Sequence, residues 1–286
     1  MSRAFGLTAA ALTGVQVGLA IVATRALAGQ VAPFTLGLLR YAVGVAVLMP
    51  FLLRLAPRPL AKADRLPVLA LGVVQFGVLI ALLNAGLQHV TAAQGAVLFA
   101  TFPLLTILLG ALLGTERLSL ARLAGAVISV AGIAVCLGAG TLPTSLAGAA
   151  MVLAAALSGA VCAIYYRPYL QRYPTLQVGT LAMLAAVVAL FPLALSEAPL
   201  SVLPGLPLFG WGLVLFIGLS SGAGYLLWLS ALKHAPASEA TILMGLSPVT
   251  AVLVGHAVLD EPLTAGFAAG LALVLLGVSL AVLARR

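Results

Sequence analysis

Two groups of polar residues have spacings that suggest chemistry. His256 and Asp260 are four residues apart, which places both side chains on one face of a helix, where such a pair can bind a metal ion or exchange a proton. Two ligands do not make a zinc site, however, because zinc in proteins is held by at least three protein ligands. The run 218–222 fits the G-x-S-x-G pattern of serine hydrolases, but that serine needs a turn between a strand and a helix, and this run lies inside an apolar segment. We therefore predict no catalytic residue, no metal site and no cofactor.

Ionisable side chains within apolar segments are functional candidates, because a charge is costly in hydrocarbon. Arg40 lies well inside one such segment, and Arg25 lies near the end of the segment before it. Either arginine can attract a substrate carboxylate or anchor its helix at the membrane surface, and the sequence leaves both interpretations open. Glu239 stands at the start of another segment, where the helix dipole favours a carboxylate.

The composition identifies the environment of these residues. The chain has 286 residues, of which 63% are hydrophobic and 7% are charged. Soluble proteins carry about 25% charged residues, so this chain lacks the charge to cover its apolar side chains in water, and the composition excludes a soluble enzyme, a disordered chain and a fibrous protein. Cys136 and Cys162 lie within apolar runs, and we expect small core residues without a disulfide.

The pattern of apolar segments predicts an all-α membrane protein. A bilayer core of about 30 Å requires about 20 apolar residues per helix. Ten segments meet this length: 4–27, 33–54, 66–88, 91–114, 119–139, 147–169, 175–196, 208–232, 237–258 and 263–284. No connection between them is long enough for a separate soluble domain.

The basic residues predict the orientation of the chain. An even number of spans places both termini on one side of the membrane. All fourteen Lys and Arg residues except Arg25 and Arg40 fall on that side. Basic loops face the cytoplasm, so we expect both termini to be cytoplasmic. The net charge of +8 is then explained by topology and by contact with anionic lipid, and no nucleic-acid partner is expected.

The chain is similar to itself at an offset of 145 residues. The stretch that begins at Pro103 aligns without gaps with the stretch that begins at Pro248. Polar and helix-breaking residues coincide in this alignment: Glu116 with Glu261, Gly125 with Gly270, Gly132 with Gly277, His89 with His234, and Gly14 with Gly159. Because five spans are an odd number, two such halves enter the membrane from opposite sides. We therefore predict two inverted five-helix repeats, 1–143 and 144–286, an arrangement common in secondary transporters.

Specific motifs in both halves resemble a known family. The first half contains GLQHVTAA at 86–93, then Pro103, then GTERLS at 114–119 and the glycines Gly125 and Gly132; the second half repeats this pattern around Pro248 and DEPLT at 260–264. The combination resembles the EamA-type repeat of the drug/metabolite transporter superfamily over nearly the whole chain. The resemblance implies a ten-helix exporter of the bacterial inner membrane. In length and layout the chain is similar to the subgroup that exports aromatic and other neutral amino acids.

The chain departs from the pattern of this family at one matched pair of positions. Many members carry Trp before Gly in the first and sixth helices, whereas this chain has Thr13-Gly14 and Ser158-Gly159. Two small hydroxyl residues in place of two indoles predict a roomier or more polar centre.

Polar and aromatic residues at the middle depth of the spans are the predicted substrate site, which would lie between the two halves. They are Gln16, Gln75, Asn84, Gln94, Thr101, Phe102, Ser158, Ser221, Tyr225, Trp228, Thr241, Met244 and Ser247. The flat rings of Phe102, Tyr225 and Trp228 suit a neutral or aromatic side chain. Pro103 and Pro248 are predicted helix kinks, and they serve either as hinges of a gate or only to shape packing.

These observations favour a monomeric secondary transporter that exports small metabolites, foremost neutral or aromatic amino acids, by alternating access. The sequence contains no P-loop, so we expect transport to follow the substrate gradient, with exchange for protons as the alternative. A proton-coupled antiporter of other drugs or metabolites, an intramembrane enzyme and a scaffold subunit are the other hypotheses.

Overall fold

The structure is a computed structural model that describes residues 3–54, 59–114, 120–138, 145–234 and 243–283. All regular structure in these ranges is helical. The first half has the helices α1 (Arg3–Ala26), α2 (Pro33–Arg54), α3 (Lys62–Gly72), α4 (Leu79–Gly86), α5 (Ala92–Phe99), α6 (Phe102–Leu112) and α7 (Leu120–Gly138), with a π-helical turn (Val73–Val78) joining α3 to α4. The second half has α8 (Leu146–Arg172), α9 (Thr175–Ser196), a short α10 (Pro199–Val202) with the 3-10 turn Leu203–Gly205, α11 (Leu208–His234), α12 (Leu246–Leu259) and α13 (Ala265–Leu283).

The predicted all-α membrane protein is confirmed. Within the described ranges, seven helical stretches are long and apolar enough to cross a bilayer: α1, α2, α3 through α4, α5 through α6, α8, α9 and residues Leu208–Trp228 of α11. Shorter apolar helices, at Leu123–Cys136, Leu246–Leu259 and Ala265–Leu280, occupy the other three predicted spans. The count of ten spans therefore stays a prediction. Large apolar side chains such as Leu112 and Leu208 are more than 80% exposed, as expected of a surface that faces lipid.

Helix breaks occur directly before both prolines of the predicted kinks. The fourth span is interrupted at Ala100 and Thr101, so Pro103 lies in the first turn of α6. Met244 and Gly245 form a turn before α12, and Pro248 lies in the first turn of that helix. Proline has no N–H and is tolerated in a first turn, where this donor would have no helical partner.

The helices pack in a few extensive pairs. α1 packs on α11 and α12, α2 packs on α9 and α11, α8 packs on α4, α5 and α6, and α7 packs on α13. Glycine permits the closest of these contacts: a Cβ atom on Gly132 of α7 would lie 2.7 Å from the backbone nitrogen of Val274 and 2.8 Å from the carbonyl oxygen of Gly270 on α13. The two backbones therefore touch without an intervening side chain.

Two carboxylates join the halves at the end of the bundle where α1 ends, which we call the distal end. Glu197, after α9, accepts hydrogen bonds from the backbone N–H groups of Phe34 (3.0 Å) and Thr35 (2.7 Å) in the first turn of α2. Glu261, before α13, accepts from the N–H groups of Ala92 (2.7 Å) and Ala93 (3.1 Å) in the first turn of α5. Each carboxylate thereby binds backbone N–H groups that have no partner within the helix, at the N-terminus where the helix dipole is positive.

We expect substitution of Gly132 by Ala to lower the free energy of unfolding in detergent by about 1–3 kcal/mol, because the new methyl group has no space against the backbone of α13. The matched control is Gly212→Ala, since nothing lies within 4 Å of a Cβ atom at Gly212. Thermal or denaturant unfolding of both variants checks this prediction, and equal stability of the two would contradict the packing of α7 on α13.

Replacement of Glu261 by Gln should also lower the free energy of unfolding, by about 1–3 kcal/mol, because the two hydrogen bonds to α5 lose their charge. Its neighbour Asp260 is exposed and has a left-handed backbone conformation (φ 53°) that asparagine also tolerates, so Asp260→Asn is the control and should stay within about 0.5 kcal/mol of the wild type. If the two variants unfold alike, the carboxylate does not stabilise α5.

Candidate functional site

A cluster of polar and aromatic side chains lies where α1, α2, α11 and the π-helical turn meet, and we call it the Arg40 cluster. Its members are Gln16 of α1, Arg40 and Tyr41 of α2, Phe76 of the π-helical turn, and Ser220, Ser221 and Tyr225 of α11. Four separate segments of the chain therefore contribute to one place inside the bundle.

Two hydrogen bonds connect the helices of this cluster. The Gln16 side-chain amide donates to the hydroxyl of Ser220. The Nε atom of Arg40 donates to the Oγ atom of Ser221 over 2.5 Å, and this hydroxyl donates in turn to the carbonyl oxygen of Ile217 over 2.7 Å. The two consecutive serines thus bind α1 and α2 to α11.

Three aromatic rings form the apolar part of the cluster. Phe76 lies between Tyr41 and Tyr225, with ring centroids 5.1 Å and 5.5 Å apart and with both pairs edge to face, the arrangement that aromatic quadrupoles favour. The Arg40 guanidinium carbon lies 5.9 Å from the centroid of Tyr41. Tyr41 and Phe76 are buried, whereas Tyr225 is half-buried.

Glycines and the π-helical turn explain why these side chains meet. A Cβ atom on Gly222 of α11 would lie 3.2 Å from the carbonyl oxygen of Gly44 on α2, so these helices approach closely beside the Arg40–Ser221 contact. The ring of Tyr225 lies against Gly179 of α9, where a Cβ atom would lie 2.8 Å from it. A π-helical turn contains an extra residue relative to an α-helix and changes which face the following residues present.

Of the predicted site residues, the structure brings Gln16, Ser221 and Tyr225 into the Arg40 cluster. Gln75 lies in the π-helical turn beside Phe76 and is partly exposed. Trp228, further along α11, packs with alanines of α1 and α11. Thr241 falls outside the described residues.

Other predicted residues lie where helices of the two halves cross. Phe102 stacks on Phe99 with centroids 6.2 Å apart, and its ring lies against Gly159 of α8. Met244 and Ser247 lie against Gly14 and Gly18 of α1.

Three hydroxyl groups of the predicted site and its surroundings donate to backbone carbonyl oxygens three or four residues earlier in the chain. Thr101 donates to the carbonyl oxygen of Leu98 (2.6 Å), and Ser158 donates to that of Ala154 (2.8 Å). Thr13, the counterpart of Ser158, donates in the same way to Ala9 (2.7 Å).

Asn84 and Gln94 lie at the distal end, away from the Arg40 cluster. The Asn84 side chain donates to the carbonyl oxygen of Pro33 (3.0 Å) at the start of α2. Gln94 completes a capping box with Thr91 at the start of α5. Both side chains therefore hydrogen-bond to backbone groups at the start of a helix in this structure.

The two arrangements that suggested chemistry have ordinary structural settings. Ser220 lies within the continuous helix α11, as expected from its apolar surroundings. His256 bonds through Nδ1 to the backbone oxygen of Glu261 over 2.8 Å.

Sequence reasoning missed Tyr41 and Phe76 and left Arg40 with two interpretations. The available signal for Arg40 and Tyr41 was an arginine followed by a tyrosine inside an apolar span. Phe76 had no signal of its own, because a phenylalanine in an apolar span is ordinary.

Comparisons with known proteins identify the family. The model of the EamA-like transporter family matches twice, at residues 4–138 and 146–283. An uncharacterized transporter of Archaeoglobus fulgidus is 28% identical over 95% of this chain and 96% of its own length. A "Probable terminal-alkyne amino-acid exporter" of Streptantibioticus cattleyicolor is 32% identical over 70% of this chain and 67% of its own.

One solved crystal structure has the same fold, with a TM-score of 0.68 at 23% identity over 98% of both chains. The two family matches together cover nearly the whole sequence. The protein therefore belongs to the EamA-like transporter family and is a multi-pass membrane transporter, not an enzyme.

Proposed function

We propose that this protein is a secondary transporter that exports neutral or aromatic amino acids and related small metabolites from the cytoplasm across the bacterial inner membrane. The observation that carries the proposal is the Arg40 cluster, which combines polar donors with an aromatic wall between helices of both halves. The relative named "Probable terminal-alkyne amino-acid exporter" supports an amino acid as the substrate.

The proposed mechanism is alternating access between two inverted repeats of five spans each, residues 1–143 and 144–286. The helix contacts support this proposal, because they are preserved when each helix is exchanged for its counterpart 145 residues away. α1 packs on α11 and α12, and its counterpart α8 packs on the third and fourth spans. α2 packs on its own counterpart α9, and α7 packs on its own counterpart α13.

Close contacts at the helix breaks support a hinge at the two prolines. Gly14 lies against the turn that precedes α12, and its counterpart Gly159 lies against Phe102 at the start of α6. Each break is thus held by the first helix of the opposite half. A change in the angle at Pro103 or Pro248 would therefore move one half relative to the other.

The bias of basic residues supports cytoplasmic termini, which would make the distal end periplasmic. The sequence has no nucleotide-binding motif, so we propose facilitated efflux along the substrate gradient. Exchange for protons is the alternative, and the first experiment must distinguish it from facilitated efflux.

Purified protein in liposomes should carry labelled L-phenylalanine or L-leucine down a concentration gradient faster than protein-free liposomes do. Facilitated efflux predicts the same initial rate with and without an imposed pH gradient, whereas a proton antiporter would be accelerated by it. Flux at the protein-free level for a full panel of neutral amino acids would contradict the proposed substrates.

Replacing Tyr225 by Ala should weaken the apparent affinity for L-phenylalanine by about 2- to 10-fold, because the substrate loses an aromatic contact. Tyr165→Ala is the control, since Tyr165 on α8 is 50% exposed and lies outside the Arg40 cluster. Concentration-dependent uptake by both variants at matched protein levels tests this, and equal losses would remove Tyr225 from the substrate path.

A further inference from the structure

Arg40 is a cation in the interior of a membrane-spanning helix. It lies seven residues after Pro33, the first residue of α2, which is about 10 Å into the span at 1.5 Å per residue. Its side chain is partly buried. An arginine at this depth normally extends toward the nearer membrane surface to keep its charge in water.

The Arg40 side chain extends in the opposite direction. Gly218 of α11 lies level with the turn that follows Arg40 on α2, because a Cβ atom on that glycine would be 2.5 Å from the Cβ atom of Val43 and 3.2 Å from the Arg40 carbonyl oxygen. The Nε atom of Arg40 binds Ser221, three residues further along α11 and so about 4.5 Å deeper into the bundle. The guanidinium is therefore held away from the distal end, which is the nearer one.

The contacts of Arg40 leave part of its guanidinium available. The Nε atom donates to Ser221, and in the described part of the chain no carboxylate lies within 4.0 Å of this side chain. A charge inside a protein without a counterion is unfavourable, and it is stabilised when an anion with matching geometry binds. The two Nη groups form a planar fork that matches the two oxygens of a carboxylate.

Arg25 has a structural role in the same molecule and serves as a comparison for Arg40. It lies at the end of α1, and its Nη1 atom donates to the carbonyl oxygens of Leu87 (2.9 Å) and Gln88 (3.3 Å) beyond α4. Among the described residues no backbone N–H group donates to these oxygens, which follow a helix C-terminus, where a cation is favoured. Arg25 therefore ties two helix ends together, a task that Arg40 does not have.

We propose that Arg40 binds the carboxylate of the transported molecule, whose apolar part lies along the half-buried Tyr225. This inference rests on the proposed function and deepens it, because it names the substrate class as small carboxylates with an apolar or aromatic side chain. Ser221 orients the guanidinium through Nε, and Tyr41 packs beneath it. Amines and amides that lack a carboxylate are poor ligands.

The experiment compares three probes that share a phenyl group and differ in charge. L-Phenylalanine carries a carboxylate and an ammonium group, 3-phenylpropionate only the carboxylate, and L-phenylalaninamide only the ammonium group. Binding to the purified protein is measured by calorimetry, and uptake of the labelled probes is measured in liposomes. The wild type should bind both carboxylates at least about tenfold more tightly than the amide, as expected for a charge-assisted contact.

The variant Arg40→Gln should lose this discrimination between the carboxylates and the amide. Arg25→Gln is the matched control and should retain it, even if its stability falls. A wild-type protein that binds the amide as tightly as phenylalanine overturns the inference without any variant, and so does an Arg40→Gln protein that still discriminates tenfold. Should Arg40→Gln fail to fold, Arg40→Lys replaces it, with weaker discrimination expected because a point charge lacks the fork.

The outcomes also separate this inference from the proposed function. If 3-phenylpropionate binds in an Arg40-dependent manner but no amino acid is transported, the carboxylate site stands and the amino-acid assignment is wrong. If amino acids are transported equally well by the wild type and by Arg40→Gln, the assignment stands and the Arg40 inference is overturned.

Discussion

The structure depends on one constraint: a polar group in hydrocarbon must find its partner within the protein. Helices satisfy most backbone groups, and the exceptions are the helix ends and breaks. Glu197 and Glu261 accept hydrogen bonds from backbone N–H groups at two helix starts. Arg25 donates to carbonyl oxygens beyond a helix end, and Thr101 donates to the carbonyl oxygen of Leu98 beside the break before Pro103. Arg40 differs from these residues, because its partner Ser221 is neutral and no carboxylate of the described residues pairs with its charge.

The sequence predicts the features that depend on local composition. Apolar length predicts the spans, and proline predicts the position of the break before α6, because both effects act within a few residues. The contact of Glu261 with α5 was not predicted, since it joins residues 169 apart in the chain. The place of Phe76 between Tyr41 and Tyr225 was not predictable either, because a π-helical turn changes the register and leaves no reliable trace in composition.

Carboxylates join the two halves at both ends of the bundle. At the distal end, Glu197 and the buried Glu261 accept charge-assisted hydrogen bonds from backbone groups. At the opposite end, Asp64 of α3 pairs with Arg172 of α8 over 3.4 Å, and the Arg172 side chain is 62% exposed. An exposed ion pair contributes about 0–1 kcal/mol, whereas a hydrogen bond to a charged group contributes about 1.5–3 kcal/mol. Asp64 also accepts a hydrogen bond from the Tyr173 hydroxyl over 2.7 Å, so a hydrogen bond to a charged group holds the halves together at this end as well.

The seam between α7 and α13 belongs to a different class of contact. Its glycines bring two backbones together at Gly132 and Gly270, and such packing has few alternative arrangements because a small shift produces overlap. Contacts made by Glu197, Glu261 and Asp64 can instead be exchanged for water when a helix end moves into solvent. A transporter that alternates between two openings would break and remake carboxylate contacts at its ends. It would keep the glycine packing between backbones intact. In the proposed alternating access, α7 and α13 would therefore stay together, and so would α2 and α11 where Gly44 meets Gly222.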